Sequence, residues 1–127
     1  MIGIQNIKAT FGEYRPEIIR TTPDKRAAVA LIVDSGQSRH DPEIIFIERA
    51  CHAADPWSGQ MAFPGGRCDP QDLNSLGTAC RETQEEIGVD LSATDQLGRL
   101  DDLQGRHGGR SREMVISCFV FGAHGVD

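Results

Sequence analysis

Glu82, Glu85 and Glu86 fall at i, i+3 and i+4 within the run Arg81-Glu82-Thr83-Gln84-Glu85-Glu86-Ile87-Gly88. On a helix of about 3.6 residues per turn these carboxylates share one face. Like charges at that spacing repel. Gly88 suits the position just past a helix end, which puts the cluster near the negative end of the helix dipole. Carboxylates that disfavour their own helix point to a missing cation, and oxygen donors suit a hard divalent metal. The plain alternative is a solvated acidic face.

The helix that must carry them is predicted to start near Asp72, Asn74 or Ser75, all capping residue types. Leu76, Ala79, Cys80, Thr83 and Ile87 recur at helical spacing and form its inner side. At about 100° per residue the glutamates lie some 120° from that side, so one face can be buried while another presents the acids. Ahead of the helix, Gln60–Phe63 reads as a short strand stopped by Pro64-Gly65-Gly66. Ala27–Val33, Glu43–Arg49, Gln96–Leu103 and Met114–Phe121 read as further strands. Residues 104–111 form a basic loop. Ile4, Ile7 and Phe11 mark one side of a short helix, and Gly12, Pro16 and Pro23 break that pattern. No repeat, linker or low-complexity tract divides the chain. The expectation is a single α/β (α+β) domain with residues 1–25 as an N-terminal extension.

The 127 residues suffice for one modest core. A net charge of −6 argues against a sequence-independent nucleic-acid binder. Cys51, Cys68, Cys80 and Cys118 contain no CxxC pair, so neither a zinc site nor a disulfide framework is indicated. That usage fits a reducing compartment. No apolar run approaches a membrane span, and the N-terminus lacks a signal-peptide core, so the expected location is the cytoplasm.

Gly66, Asp72, Arg81, Glu82, Glu85, Glu86 and Gly88 together resemble the box of the Nudix hydrolases, over residues 66–89. That pattern is a glycine, an acid six residues on, then Arg-Glu-x-x-Glu-Glu-x-Gly, and its tail is matched fully. Asp72 stands where Glu is usual, and the gap to Arg81 is one residue longer. With Gly59-Gln60-Met61-Ala62-Phe63-Pro64-Gly65-Gly66 and Asp69-Pro70-Gln71-Asp72, these departures are similar to the coenzyme A pyrophosphatase branch. Asp55-Pro56-Trp57 depart from that branch.

The resemblance implies an α/β/α sandwich with a mixed sheet, and metal-dependent hydrolysis of a nucleoside diphosphate linked to another moiety. Coenzyme A or its derivatives come first as substrates. ADP-ribose, nucleotide sugars or dinucleotides follow. It implies Mg²⁺ or Mn²⁺ held by Glu85 and Glu86, with Glu82 as a third ligand or the general base. The Gly66 carbonyl would complete the shell, and Arg81 would orient the carboxylates. Gly65 and Gly66 let metal and phosphate approach the backbone, or simply form a tight turn. Arg49 and Arg67 would hold phosphate oxygens or form surface ion pairs. Trp57 would stack on a base or serve as a packing anchor. Arg106, His107, Arg110 and Arg112 would close over a polyphosphate or remain a hairpin loop. Asp101, Asp102 and Glu113 are candidates for the base by position. By the same resemblance the chain ends before a further strand and helix, and an unpaired sheet edge predicts a homodimer. A nucleotide-sensing module without catalysis is the competing expectation, and a structural calcium site is a third.

Overall fold

The computed structural model describes residues 4–34, 43–48, 61–91, 95–106 and 113–123. Its organising strand is β1 (Arg26–Asp34), which contains the apolar run expected of a buried strand. The expected strand Glu43–Arg49 is interrupted. β2 (Glu43–Ile45) and β3 (Ile47–Glu48) flank Phe46, whose ring stacks on Phe63 at 5.0 Å. β3 pairs with β4 (Met61–Ala62) in a separate two-stranded sheet. β5 (Gly65–Arg67) and α2 (Ser75–Ile87) follow.

The expected strand Gln96–Leu103 is also divided, into β6 (Asp95–Arg99) and β7 (Leu103–Arg106). The reason is electrostatic. After Leu100, whose N–H still donates to the Cys118 carbonyl, Asp101 and Asp102 leave the sheet, and the Asp102 side chain turns inward and is fully buried between Arg26 and Arg99. β8 (Glu113–Ala123) is the longest strand. It runs parallel to β1 from Arg26↔Val115 to Asp34↔Ala123. The main sheet runs β2-β1-β8-β6, with β5 also pairing with β1 and β7 with β8. Its remaining pairings are antiparallel, so the sheet is mixed.

Period-two alternation assigns the two faces. Ala28, Ala30 and Ile32 of β1 and Phe119, Phe121 and Ala123 of β8 join Ala79 of α2 in one core cluster. The small residues of β1 let the helix lie close to the sheet. The opposite face collects Val33, Leu97 and Val120, covered by Ile7 and Phe11. Those two belong to α1 (Ile4–Glu13), the N-terminal helix expected from its apolar spacing. The Phe11 ring fills the space above Gly98, where an added Cβ would come within 2.4 Å of Phe11 Cγ. Helix, sheet and helix thus form three layers.

The segment joining α1 to β1 is fastened by two adjacent acids. Asp101 accepts from the Tyr14 hydroxyl and from the Glu17 backbone N–H. Asp102 accepts from Arg26, Arg99 and the Ile19 N–H, and its own N–H donates to the Glu17 carbonyl. Arg26 also donates to the Ile19 carbonyl and to Ser117. Among the described residues no helix is long and apolar enough to cross a membrane.

Candidate active site

Asn74 opens α2. Its side-chain oxygen accepts the Gly77 N–H at 2.8 Å, which satisfies one of the orphan donors at the helix start. Gly88 closes it in the left-handed region, at φ 70°, with its N–H on the Gln84 carbonyl. Thr78, Ala79 and Thr83 are buried. Leu76, Cys80 and Ile87 pack against the same core. The inner side of the helix is therefore the predicted one. Glu82 keeps 22% of its side chain exposed and Glu85 58%, so the acids look outward along the flank.

β5 delivers the glycine pair beneath that flank. Gly65 and Gly66 lie opposite Val29 and Ala28 in the ladder. A Cβ at Gly65 would sit 2.3 Å from the Ala28 carbonyl oxygen, so no side chain fits there. Its N–H donates to Glu86 Oε1 at 2.9 Å. At Gly66 a Cβ would sit 2.6 Å from Glu82 Cδ. The Glu82 carboxylate occupies the space a side chain would take, and the missing Cβ lets an acid rest on bare backbone. Gly66→Ala should leave the melting temperature nearly unchanged, because the displaced atoms end a flexible chain. Hydrolytic turnover should fall by about 10²-fold, as expected for a misplacement near 1 Å. Thermal unfolding and a rate assay on one preparation check this, and full activity would refute it.

Arg81 ties the cluster together. Its Nε and Nη2 grip both oxygens of Asp72 at 2.9 and 3.0 Å. Its Nη1 reaches Glu82 Oε1 at 2.9 Å and Glu85 Oε2 at 3.3 Å. Hydrogen bonds from Arg81 above all, then from the Asp69 N–H and the Thr78 hydroxyl, hold Asp72 well below the usual carboxylate range. The hydrogen bond to Asp72 likewise raises Arg81 above its ordinary value. The like-charge cluster expected from the acid spacing thus has a counter-charge on its own helix. Repulsion between Glu82 and Glu85 is relieved in part by a cation of the chain itself.

Among the described residues, no group of three or more His, Cys, Asp and Glu side chains is drawn together as a ready-made metal cage. The donor chemistry nevertheless suits Mg²⁺ or Mn²⁺. Such an ion needs only one or two carboxylates, with water and substrate oxygens filling the rest. The absent side chain at Gly66 lets the Glu82 carboxylate lie against the backbone, where carboxylate and carbonyl oxygens are close together.

The structure therefore brings Gly65, Gly66, Arg81, Glu82, Glu85 and Glu86 to one place. Arg67 follows directly on β5 with its side chain exposed, and its carbonyl accepts from Arg81 Nη2 at 3.5 Å. Arg49, Trp57, His107, Arg110 and Arg112 lie outside the described residues. Arg106 ends β7 and Glu113 begins β8. Asp101 and Asp102, expected as candidate bases, fasten the segment before β1 instead: Asp101 Oδ1 accepts from Tyr14 and the Glu17 N–H, and both Asp102 oxygens are engaged by Arg26, Arg99 and the Ile19 N–H. The sequence reading missed Thr78, whose hydroxyl donates to Asp72 Oδ2 at 2.7 Å. Its signal was a hydroxyl three positions before Arg81, on the turn of helix that faces the Asp72 loop.

A glutamate-bearing helix laid on a mixed sheet with a parallel central pair, with the Gly65-Gly66 pair of β5 passing under its acids, defines an α/β/α class of domain. The chain belongs to the NUDIX domain family, whose model matches residues 24–126. It is 35% identical over 95 residues to the mitochondrial coenzyme A diphosphatase NUDT8 of Mus musculus, across 72% of this chain and 45% of that protein. It is 40% identical over 70 residues to the uncharacterized Nudix hydrolase NudL of Yersinia enterocolitica, across 55% of this chain and 35% of that protein. The chain thus spans less than half the length of these curated relatives. A NUDIX hydrolase structure from Alicyclobacillus acidocaldarius superposes with a TM-score of 0.64 at 19% identity, covering 85% of this chain and 73% of that one, and shows the shared fold.

Proposed function

We propose that this chain carries a divalent-metal-dependent pyrophosphohydrolase site that cleaves a nucleoside diphosphate linked to another moiety. Coenzyme A and its derivatives are the first substrates. The observation that carries this reading is the seating of Glu82 on the bare backbone of Gly66, with Glu85 joined to it through Arg81. The similarity to the mouse coenzyme A diphosphatase supports the choice of substrate.

Glu82, Glu85, Glu86 and the Gly66 carbonyl would hold Mg²⁺ or Mn²⁺. When bound, the ion supplies charge neutralisation on the diphosphate and acidifies water. Glu82 takes a proton from the attacking water, whose oxygen forms a bond to one phosphorus. The anhydride bond to the other phosphorus breaks, and its bridging oxygen leaves with the electron pair. The products are a nucleoside monophosphate and a phosphorylated remainder. Arg81 fixes the directions of Glu82 and Glu85, which suits a reaction that depends mainly on positioning and electrostatics. Arg67, exposed beside Gly66, would meet an outer phosphate oxygen.

Nucleotide sensing without turnover is the second reading. It is favoured by the hold of Arg81 on Glu82 and Glu85, which leaves those acids partly neutralised without metal. A panel of coenzyme A, ADP-ribose, nucleotide sugars and dinucleotides, incubated with Mg²⁺ or Mn²⁺, separates the two readings. Release of adenosine 3′,5′-bisphosphate and phosphopantetheine from coenzyme A is the expected result. Ligand-induced thermal stabilisation with no product for any substrate would establish the sensor instead.

A further inference from the structure

We propose that Thr78 is a positioning residue for the metal-binding acids, acting through Asp72 and Arg81. This rests on the metal reading of the site given above. Thr78 is wholly buried on the first turns of α2, and β-branching restricts its side-chain rotamers. Its hydroxyl has a single proton to give. Two acceptors lie near it, Asp72 Oδ2 at 2.7 Å and the Asn74 carbonyl at 3.4 Å, and the distances assign the proton to the carboxylate. Asp72 Oδ2 also takes the Asp69 N–H at 2.9 Å and Arg81 Nη2 at 3.0 Å, while Oδ1 takes Arg81 Nε at 2.9 Å.

These bonds make a rigid sequence. Asp72 lies before the helix, in a loop, so the helix backbone does not set its side-chain direction. The Thr78 hydroxyl does so from inside the helix, and the Asp69 N–H does so from the loop. A guanidinium is planar with its donors in a fixed fork. Seating Nε and Nη2 on a fixed Asp72 therefore fixes where Nη1 lies. Nη1 is the nitrogen that holds Glu82 at 2.9 Å and Glu85 at 3.3 Å. Without the hydroxyl, Asp72 can rotate with Arg81 still attached, and Nη1 moves along the flank with both acids.

The test is Mn²⁺ binding, read by electron paramagnetic resonance on wild type, Thr78→Val and Thr78→Ser, with thermal unfolding of each. Valine keeps the shape and removes the hydroxyl, whereas serine keeps the hydroxyl. Thr78→Val should weaken Mn²⁺ roughly three- to tenfold, less than the 10- to 100-fold typical of groups bonded directly to a ligand. Thr78→Ser should restore wild-type affinity even if its melting temperature is lower. Two results overturn the proposal: Thr78→Val binding Mn²⁺ as wild type does, or Thr78→Ser binding as weakly as Thr78→Val. A wild-type protein that binds no Mn²⁺ would instead overturn the metal reading, and the positioning role with it.

Discussion

Glu85→Gln is expected to reduce diphosphate hydrolysis by about 10²- to 10⁴-fold, the range associated with losing a group that acts in the transition state. Glutamine keeps the length and shape of the side chain and removes its charge. More than half of the Glu85 side chain is in water and its described ion pair, to Arg81 at 3.3 Å, is long. Surface substitutions of this kind change stability by no more than about 0.5 kcal/mol, and removing one of several clustered like charges offsets part of that. Glu86→Gln is a matched companion. Its amide oxygen can still accept the Gly65 N–H, so the geometry at β5 is kept while a charge is lost. The informative pattern is a collapse of turnover at constant melting temperature in both variants. Wild-type rates in either, on the substrate that wild type prefers, would remove that glutamate from the site.

Asp102→Asn should act in the opposite manner, with a large effect on folding. Asp102 is fully buried, and Arg26 and Arg99 at its oxygens are 12% and 19% exposed. Breaking a buried pair by removing one partner costs about 3–5 kcal/mol, because the remaining charge stays buried without compensation. Here two guanidinium groups would remain. Domains of this size have roughly 5–15 kcal/mol in all, so the variant should be marginal at 25 °C, with a melting temperature lower by about 10–20 °C.

The pH dependence has a definite sign. Burial pushes the Asp102 pKa up, but hydrogen bonds from Arg26, Arg99, the Ile19 N–H and Ser117 together outweigh it and leave the group below its ordinary value. The stability Asp102 contributes is therefore fully present above the unfolded carboxylate pKa of about 3.9 and is lost as pH falls through the lower, folded value. Urea unfolding from pH 7 to pH 3 reads this directly. Wild type should lose stability on acidification more steeply than Asp102→Asn, and parallel curves would show that the buried carboxylate is not responsible.

The candidate site was legible because its information is local. Glu82, Glu85 and Glu86 fall within five residues on one helix, Gly88 marks its end, and Gly65-Gly66 stands out ahead of it, although the pair lies in β5 and not in the tight turn expected. Periodicity and residue type suffice for such features. The same holds for β1, where an unbroken apolar run specifies a strand buried on one face and largely covered on the other. What the sequence concealed depends on distant partners. Arg99 lies three residues before Asp102, but nothing near residue 102 points to Arg26, the second arginine that makes burial tolerable, which is 76 residues away and meets it only after the sheet forms. The break between β6 and β7 was hidden for the same reason. The apolar run Ile44–Ile47 divides at Phe46, which stacks on Phe63, and no local propensity encodes that partner. Arg81 was read as an orienting group, but its role as the cluster's own counter-charge required the geometry of the fork.

The helix that covers the sheet opposite the glutamates is made early and seated late. Tyr14 and Asp101, which fasten the segment following it, are 87 residues apart in the chain. A ribosome adding about 5–20 residues per second makes Tyr14 roughly 5–20 s before it makes the acid that Tyr14 will bond. Throughout that interval Phe11 has no Gly98 to rest on. A helix of ten residues is also too short to persist in water by itself. An element made early is thus among the last to acquire structure. Its nascent form leaves Ile7 and Phe11 unseated until the sheet arrives, which gives residues 4–19 reason to meet a chaperone during synthesis.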